Sequence, residues 1–280
     1  MERIREAVER ARQERGASGG IGFGGVARPR SVPEVGGQDA PDRIVYTKTR
    51  TLEVPRPTLK EKRIVGGFDP CGFSEAFKIL STQVSHALRQ HHWTTLAVTS
   101  PNEREGKTLV AINLAISLAM EFHQTSLLVE ADLREPSLCD YFGLAPGPGL
   151  SDYLTSDTPI EELLVHPGIG SFVMLPGGTP QLHSSEMLGS RKMSQLVKEL
   201  KARYPSRIVV FDLPPLLAAA DVLAFAPNIE AALLVVEEGK TRRDDVRRAA
   251  ELLGSTPLIG TVLNKSDEPV VTVYGHAHRG

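Results

Sequence analysis

The sequence predicts a doubly wound α/β fold with a mostly parallel sheet, and three observations carry that prediction. Strand-length apolar runs alternate with helix-length amphipathic segments from about residue 73 to residue 263. The runs TLAVTS, SLLVEA, IVVF and AALLVV are apolar nearly throughout, as strands covered on both faces of a parallel sheet are. One strand–loop–helix junction, TSPNEREGKT from Thr99 to Thr108, runs into LVAINLAISLAM and carries the residue types of a phosphate-binding loop.

Taken in order, residues 1–15 place Ile4, Ala7, Val8 and Ala11 on one helical face, which predicts a short amphipathic helix suited to docking on a partner. Residues 16–63 are rich in Gly, Pro, Ser and charge, and predict a flexible linker. The nucleotide-binding domain is expected over 64–267. It opens with a helix over Phe73 to Leu88, in which Phe73, Ala76, Phe77, Leu80, Val84 and Leu88 recur at helical spacing. Strands follow at Trp93 to Ser100, Ser126 to Ala131, Phe172 to Leu175, Ile208 to Phe211, Ala231 to Val236 and Leu258 to Leu263. Between them, short helices are expected near Leu150 to Tyr153 and Ile160 to Val165. Longer ones are expected at Ser190 to Arg203 and Arg242 to Leu253. Residues 268–280 form a loose tail containing Tyr274, whose His276 and His278 are incidental to any metal site.

Composition narrows the function classes. A chain of 280 residues with 41% hydrophobic content builds a sizeable core, and a formal net charge of -2 gives no basic field for nucleic acid. Two cysteines, Cys71 and Cys139, are too few for a disulfide framework and read as reduced thiols of a cytoplasmic protein. The longest apolar run, Leu109 to Met120, includes Asn113 and falls short of the roughly 20 residues that span a bilayer. The charged N-terminus has no apolar core of a secretory signal. Membrane association is therefore expected only through a partner.

The loop chemistry points to a nucleoside triphosphate. Backbone N–H groups from Asn102, Glu103, Arg104, Glu105, Gly106 and on to Leu109 surround a helix N-terminus and suit anionic oxygens. Lys107 adds a point charge for the β- and γ-phosphates, and the Thr108 hydroxyl suits Mg²⁺. Pro101 stands where such loops usually have Gly or Ala. In doubly wound folds the ligand lies outside the C-terminal ends of the strands. There the sequence places Glu130 and Asp132 after one strand and Asp212 after another, carboxylates able to hold Mg²⁺ or take a proton from an attacking hydroxyl. Arg134 is suited either to neutralise developing phosphoryl charge or to form a structural ion pair.

TSPNEREGKT, LLVEADLREPSL, IVVFDLPPLL, AALLVVEEGKT and GTVLNK together resemble the Walker A, Walker A′, Walker B and flanking segments of the bacterial tyrosine kinases of exopolysaccharide synthesis, the CpsD/CapB type. The similarity spans about Phe73 to Lys265. FGL, GLSDYL, LPGG and SSEMLGS are similar to the subset encoded with exosortase-linked systems. The resemblance implies a P-loop NTPase of the deviant Walker, MinD/ParA-like superfamily that uses ATP and Mg²⁺. It also implies protein-tyrosine autokinase activity regulating polysaccharide polymerisation and export. Lys107 would bind phosphates, Thr108 and Asp212 the metal, and Asp132 the metal shell or catalytic machinery. Glu130 stands where the family usually has Asp, and Arg104 where it often has Gly. Asn264 would contact adenine, and Tyr274 is the one tail tyrosine available as phosphoacceptor. The implied partner is a membrane-embedded chain-length regulator of the Wzz/CapA type, with a ring of like subunits. The ring-assembly motif is filled here by Glu75, Lys78 and Ser81, which departs from the family's Glu, Arg and Arg.

Three other readings compete. A MinD/ParA-like ATPase would carry an extra Lys early in the loop, where this sequence has Asn102. A GTPase is suggested by NKSD at Asn264 to Asp267, an accidental match if Asn264 faces adenine. A nucleotide-switched docking ATPase with little kinase activity would use the same loop.

Overall fold

A computed structural model describes residues 49–66, 72–121, 124–156, 158–203, 206–254 and 256–266, all within the unit Arg43–Gly280. The expected helix over 1–15, most of the linker and the tail with Tyr274, His276 and His278 lie outside the described residues.

The sheet has eight strands: β1 (Arg50–Thr51), β2 (Thr95–Thr99), β3 (Thr125–Glu130), β4 (Val165–His166), β5 (Phe172–Leu175), β6 (Arg207–Asp212), β7 (Ala231–Glu237) and β8 (Leu258–Asn264). Their order is β1-β4-β5-β3-β6-β2-β7-β8, and every pairing is parallel except β4 with β5. β2, β3 and β6 are buried at every position, as their unbroken apolar runs require. Side chains alternate between the faces, so Leu96 and Val98 of β2 join one core layer while Ala97 joins the other.

Helices α2 (Gly72–His91) and α3 (Lys107–Ala119) cover the first face. α3 is buried nearly all round and has no polar stripe, because it lies between the sheet and α2. The second face is covered by the amphipathic α8 (Arg191–Arg203), through Met193, Leu196, Val197 and Leu200, and by α10 (Arg243–Leu253), through Ala249 and Leu253. The shorter helices are α1 (Arg56–Glu61), α4 (Leu138–Tyr141), α5 (Leu150–Thr155), α6 (Ile160–Leu163), α7 (Ser184–Leu188) and α9 (Asp221–Phe225).

The domain boundary differs from expectation. Order begins before residue 64: β1 pairs with β4, the Leu52 N–H donates to the His166 carbonyl at 2.8 Å, and α1 buries Leu59. A two-residue strand and a six-residue helix are too short to show periodicity, and a distant partner orders them. Asn113 then fastens this segment to α3. Its Oδ1 accepts the Val65 and Gly66 N–H groups at 2.8 and 3.0 Å, and its Nδ2 donates to the Arg63 and Leu109 carbonyls. Gly66 is needed there, since a Cβ would meet the Asn113 carbonyl oxygen at 2.9 Å.

The surface motif Glu75, Lys78 and Ser81 does not form a charged row. Lys78 pairs with Glu75 at 3.3 Å, while Ser81 is buried and donates to the Lys78 carbonyl.

Candidate active site

The sheet order sets β3, β6 and β2 side by side, with Glu130 in register with Asp212 and Asp212 in register with Val98. Three sequence-distant strand ends therefore meet at one edge, where α3 begins.

The loop between β2 and α3 is held from several sides. Gly106 caps α3 at φ 90°, and a Cβ on it would approach Asn264 Nδ2 to 2.2 Å, so only glycine fits. Glu105 is buried, and its carboxylate folds back within the loop. It accepts the Asn102 N–H at 3.1 Å, the Asn102 side-chain amide at 3.3 Å and the Thr241 hydroxyl at 2.6 Å. From the end of β8, Asn264 Nδ2 donates to the Glu105 carbonyl at 2.8 Å and Lys265 Nζ to the Arg104 carbonyl at 2.7 Å. Arg104 itself takes the left-handed conformation at φ 60°. Pro101 is buried, and its carbonyl accepts the Leu217 N–H at 3.1 Å. Asn264, which the resemblance puts against adenine, thus has its amide engaged on the loop. The role of Thr241 had no sequence signal, because it sits on the turn after β7 and acts through tertiary contact.

Lys107 Nζ lies 2.8 Å from Asp132 Oδ2, 3.6 Å from Asp212 Oδ1 and 3.3 Å from the Thr108 hydroxyl. Burial pulls the ammonium's pKa down, but the carboxylates of Asp212 and Asp132 outweigh this and hold it above its ordinary value. Burial pushes the Asp212 carboxyl up, against the pull of Lys107. Neither Asp212 oxygen accepts a hydrogen bond among the described residues, although both are buried. The Thr108 hydroxyl and the Lys107 ammonium face Asp212, but that one ammonium is shared between two buried carboxylates and sits closer to Asp132, which leaves the pair short of positive charge. Thr108, Asp132 and Asp212 therefore fit Mg²⁺, which takes one or two carboxylates from protein and further oxygens from phosphate and water.

Two expected catalytic residues are placed differently. Glu130 Oε1 accepts the N–H groups of Ser137 and Leu138 at 2.5 and 2.6 Å, and Oε2 accepts the Gly177 N–H at 2.7 Å. Its extra methylene carries the carboxylate to the start of α4 and to the loop after β5, so it anchors backbone instead of facing an attacking hydroxyl. Burial raises its pKa to about 7, opposed by those three hydrogen bonds. Arg134 forms an ion pair with Asp221, Nε to Oδ2 at 3.0 Å, and Asp221 is fully buried and also accepts the Ser184 hydroxyl at 2.8 Å. The guanidinium is spent on joining the loop after β3 to α9 and α7. Asp221 escaped sequence reasoning because an acidic residue opening a short helix looks like any other cap.

No family model matches the chain. The tyrosine-protein kinase YwqD of Bacillus subtilis is 29% identical over 228 residues, covering 80% of this chain and 95% of the relative. Among solved structures, the kinase domain of the Escherichia coli tyrosine kinase Etk aligns with a TM-score of 0.68. It is 24% identical and covers 84% of this chain and 94% of that one, which shows a shared fold. The septum site-determining protein MinD of Pyrococcus horikoshii shares the fold more distantly, with a TM-score of 0.51 and 23% identity over 62% of this chain and 72% of that one. With its ordered Walker segments and convergent strand ends, the chain is similar along most of its length to bacterial tyrosine kinases, YwqD, CapB and CpsD among them.

Proposed function

We propose that the chain is an ATP-dependent protein-tyrosine kinase that regulates exopolysaccharide or capsule polymerisation and export. The observation that carries this is the convergence of Lys107, Asp132 and Asp212 at the P-loop helix, where one ammonium serves two buried carboxylates. The N-terminus of α3 and Lys107 bind and orient the triphosphate. Mg²⁺ on Thr108, Asp132 and Asp212 would neutralise charge on the phosphoryl oxygens. The acceptor tyrosine's Oη bonds to the γ-phosphorus as the bond to the β,γ-bridging oxygen breaks, ADP leaves, and Asp132 takes the phenol proton. Glu130 holds the backbone around α4, and Arg134 holds α9. We assign the acceptor role to Tyr274 and the partner role to a membrane-embedded chain-length regulator. A ring of like subunits and the exosortase-linked subtype belong to the same reading. Among the described residues no helix is long and apolar enough to cross a membrane, which fits work at the membrane through that partner.

The commitment of Glu130 to three backbone donors favours one second reading, a nucleotide switch with little transfer activity. Incubation with ATP, Mg²⁺ and the regulator's cytoplasmic segment, read by phosphotyrosine mass spectrometry, separates the two. The kinase reading requires phosphate on Tyr274 or on a partner tyrosine, lost in Lys107→Met and, for the tail site, in Tyr274→Phe. Retained ATP binding with no phosphotyrosine anywhere supports the switch.

A further inference from the structure

One acid stands where it would hinder an anion. Glu105 lies two residues before Lys107, inside the loop whose N–H groups suit phosphate, and it is only 2% exposed. Among the described residues its carboxylate has no cation against it and is held by neutral donors. Left loose at this place, it would set a negative charge beside the phosphates and compete with them for the loop's own N–H groups. It already takes one of these, the N–H of Asn102.

What turns the carboxylate aside comes from outside the loop. The Asn102 amide donates to it at 3.3 Å but also reaches Asp245 Oδ2 at 3.4 Å, so this donor is shared between two acids. The Thr241 hydroxyl meets Glu105 Oε1 at 2.6 Å, the shortest of the three contacts. That hydroxyl is itself fixed in place. Its oxygen accepts the Glu237 N–H at 2.8 Å, and the Thr241 N–H donates to the Glu237 carbonyl at 3.1 Å. A hydroxyl has one hydrogen to give, and here it is aimed at Glu105. Because β7 ends at Glu237, the carboxylate is anchored to the end of a sheet strand.

We propose that Thr241 is a positioning residue of the nucleotide site: its hydroxyl holds the Glu105 carboxylate toward the turn after β7 and keeps the loop's remaining N–H groups free for the triphosphate. The inference rests on ATP binding at the P-loop and is the same whether phosphoryl transfer or a nucleotide switch follows. Thr241 touches no phosphate in this scheme and acts through Glu105.

The test measures ATP affinity by calorimetry on the full chain, for wild type, Thr241→Val, Thr241→Ser and Thr241→Val combined with Glu105→Gln. Thermal melts first establish that each variant is folded, and Thr241→Ala runs beside Thr241→Val so that the comparison survives if one of them is not. Thr241→Val should weaken ATP binding at least about tenfold, the value of one hydrogen bond to a charged group. Thr241→Ser keeps the hydroxyl and should stay within about twofold of wild type. Removing the charge should then relieve the defect, so that the double variant binds ATP more tightly than Thr241→Val alone. A merely loosened turn does not produce that coupling. Equal affinity of Thr241→Val and wild type would overturn the proposal, as would a loss that Glu105→Gln leaves in place. A wild type without affinity for ATP would remove the nucleotide reading and this inference together.

Discussion

Lys107 Nζ is 2.8 Å from Asp132 Oδ2, so the lysine of the P-loop is the counter-ion of the acidic strand ends. Charge balance in this site is shared: remove the lysine and two buried carboxylates face each other, remove the carboxylates and the ammonium is buried alone. In the proposed function phosphate would take the lysine, and the two acids would be left to hold Mg²⁺.

Lys107→Met is therefore expected to lower ATP turnover by at least about 100-fold, as loss of a principal phosphoryl-stabilising cation does. Calorimetric ATP titration and a turnover assay check it. Unchanged binding and turnover would sink the P-loop assignment itself.

Gly106→Ala meets two obstacles, a left-handed backbone and a Cβ 2.2 Å from Asn264 Nδ2. It should cost roughly 1–3 kcal/mol in strain and weaken ATP binding accordingly. Asn264→Ala removes one obstacle and a strap on Glu105 together. The double variant should consequently be less impaired than the sum of the singles, a coupling readable in ATP affinity by a double-mutant cycle. Strict additivity would mean that the two residues do not meet.

Glu130→Gln sets an amide nitrogen against backbone donors and should destabilise the fold by about 1–3 kcal/mol. The pH dependence has a definite sign. With its carboxyl raised from 4.5 to about 7, the folded protein binds this proton more tightly than the unfolded chain. The residue's contribution to stability then falls as pH rises between those values, and is flat above them. Urea midpoints of wild type and Glu130→Gln, compared at several pH values, should converge as pH rises through this window. A constant gap would refute the raised pKa.

Arg134→Ala leaves the buried Asp221 without its cation. Because the arginine is partly exposed, the loss is placed at about 1–3 kcal/mol, below that for a fully buried pair. The thermal midpoint should drop while KM for ATP stays near wild type, and Arg134→Lys should recover part of the loss. An unchanged midpoint with a reduced kcat would instead return Arg134 to the phosphoryl group.

Some of this was legible in the sequence because it depends on near neighbours. The apolar strands, the amphipathic helices and the Gly-Lys-Thr at a strand–helix junction are local patterns, and from Phe73 to Leu263 the structure keeps the strands and long helices at their expected places within three residues. The meeting of Asp132 and Asp212 with Lys107 followed from one general rule, that ligands lie at the carboxyl ends of parallel strands. The roles of individual acids did not follow. Glu130 and Asp132 are two residues apart and look alike in sequence. Only the positions of Ser137, Leu138 and Gly177 turn one into a backbone anchor, leaving the other on the lysine. Arg134 was chemically suited to phosphate, and a buried Asp221 distant in sequence claims it. The strand at Arg50–Thr51 carries no pattern, and β4 orders it. The sequence alone determined the sheet, the loop and the set of charges available. Which charge meets which was decided by tertiary packing, because partners brought together across the fold fix each side chain's hydrogen bonds, and no spacing along the chain records them.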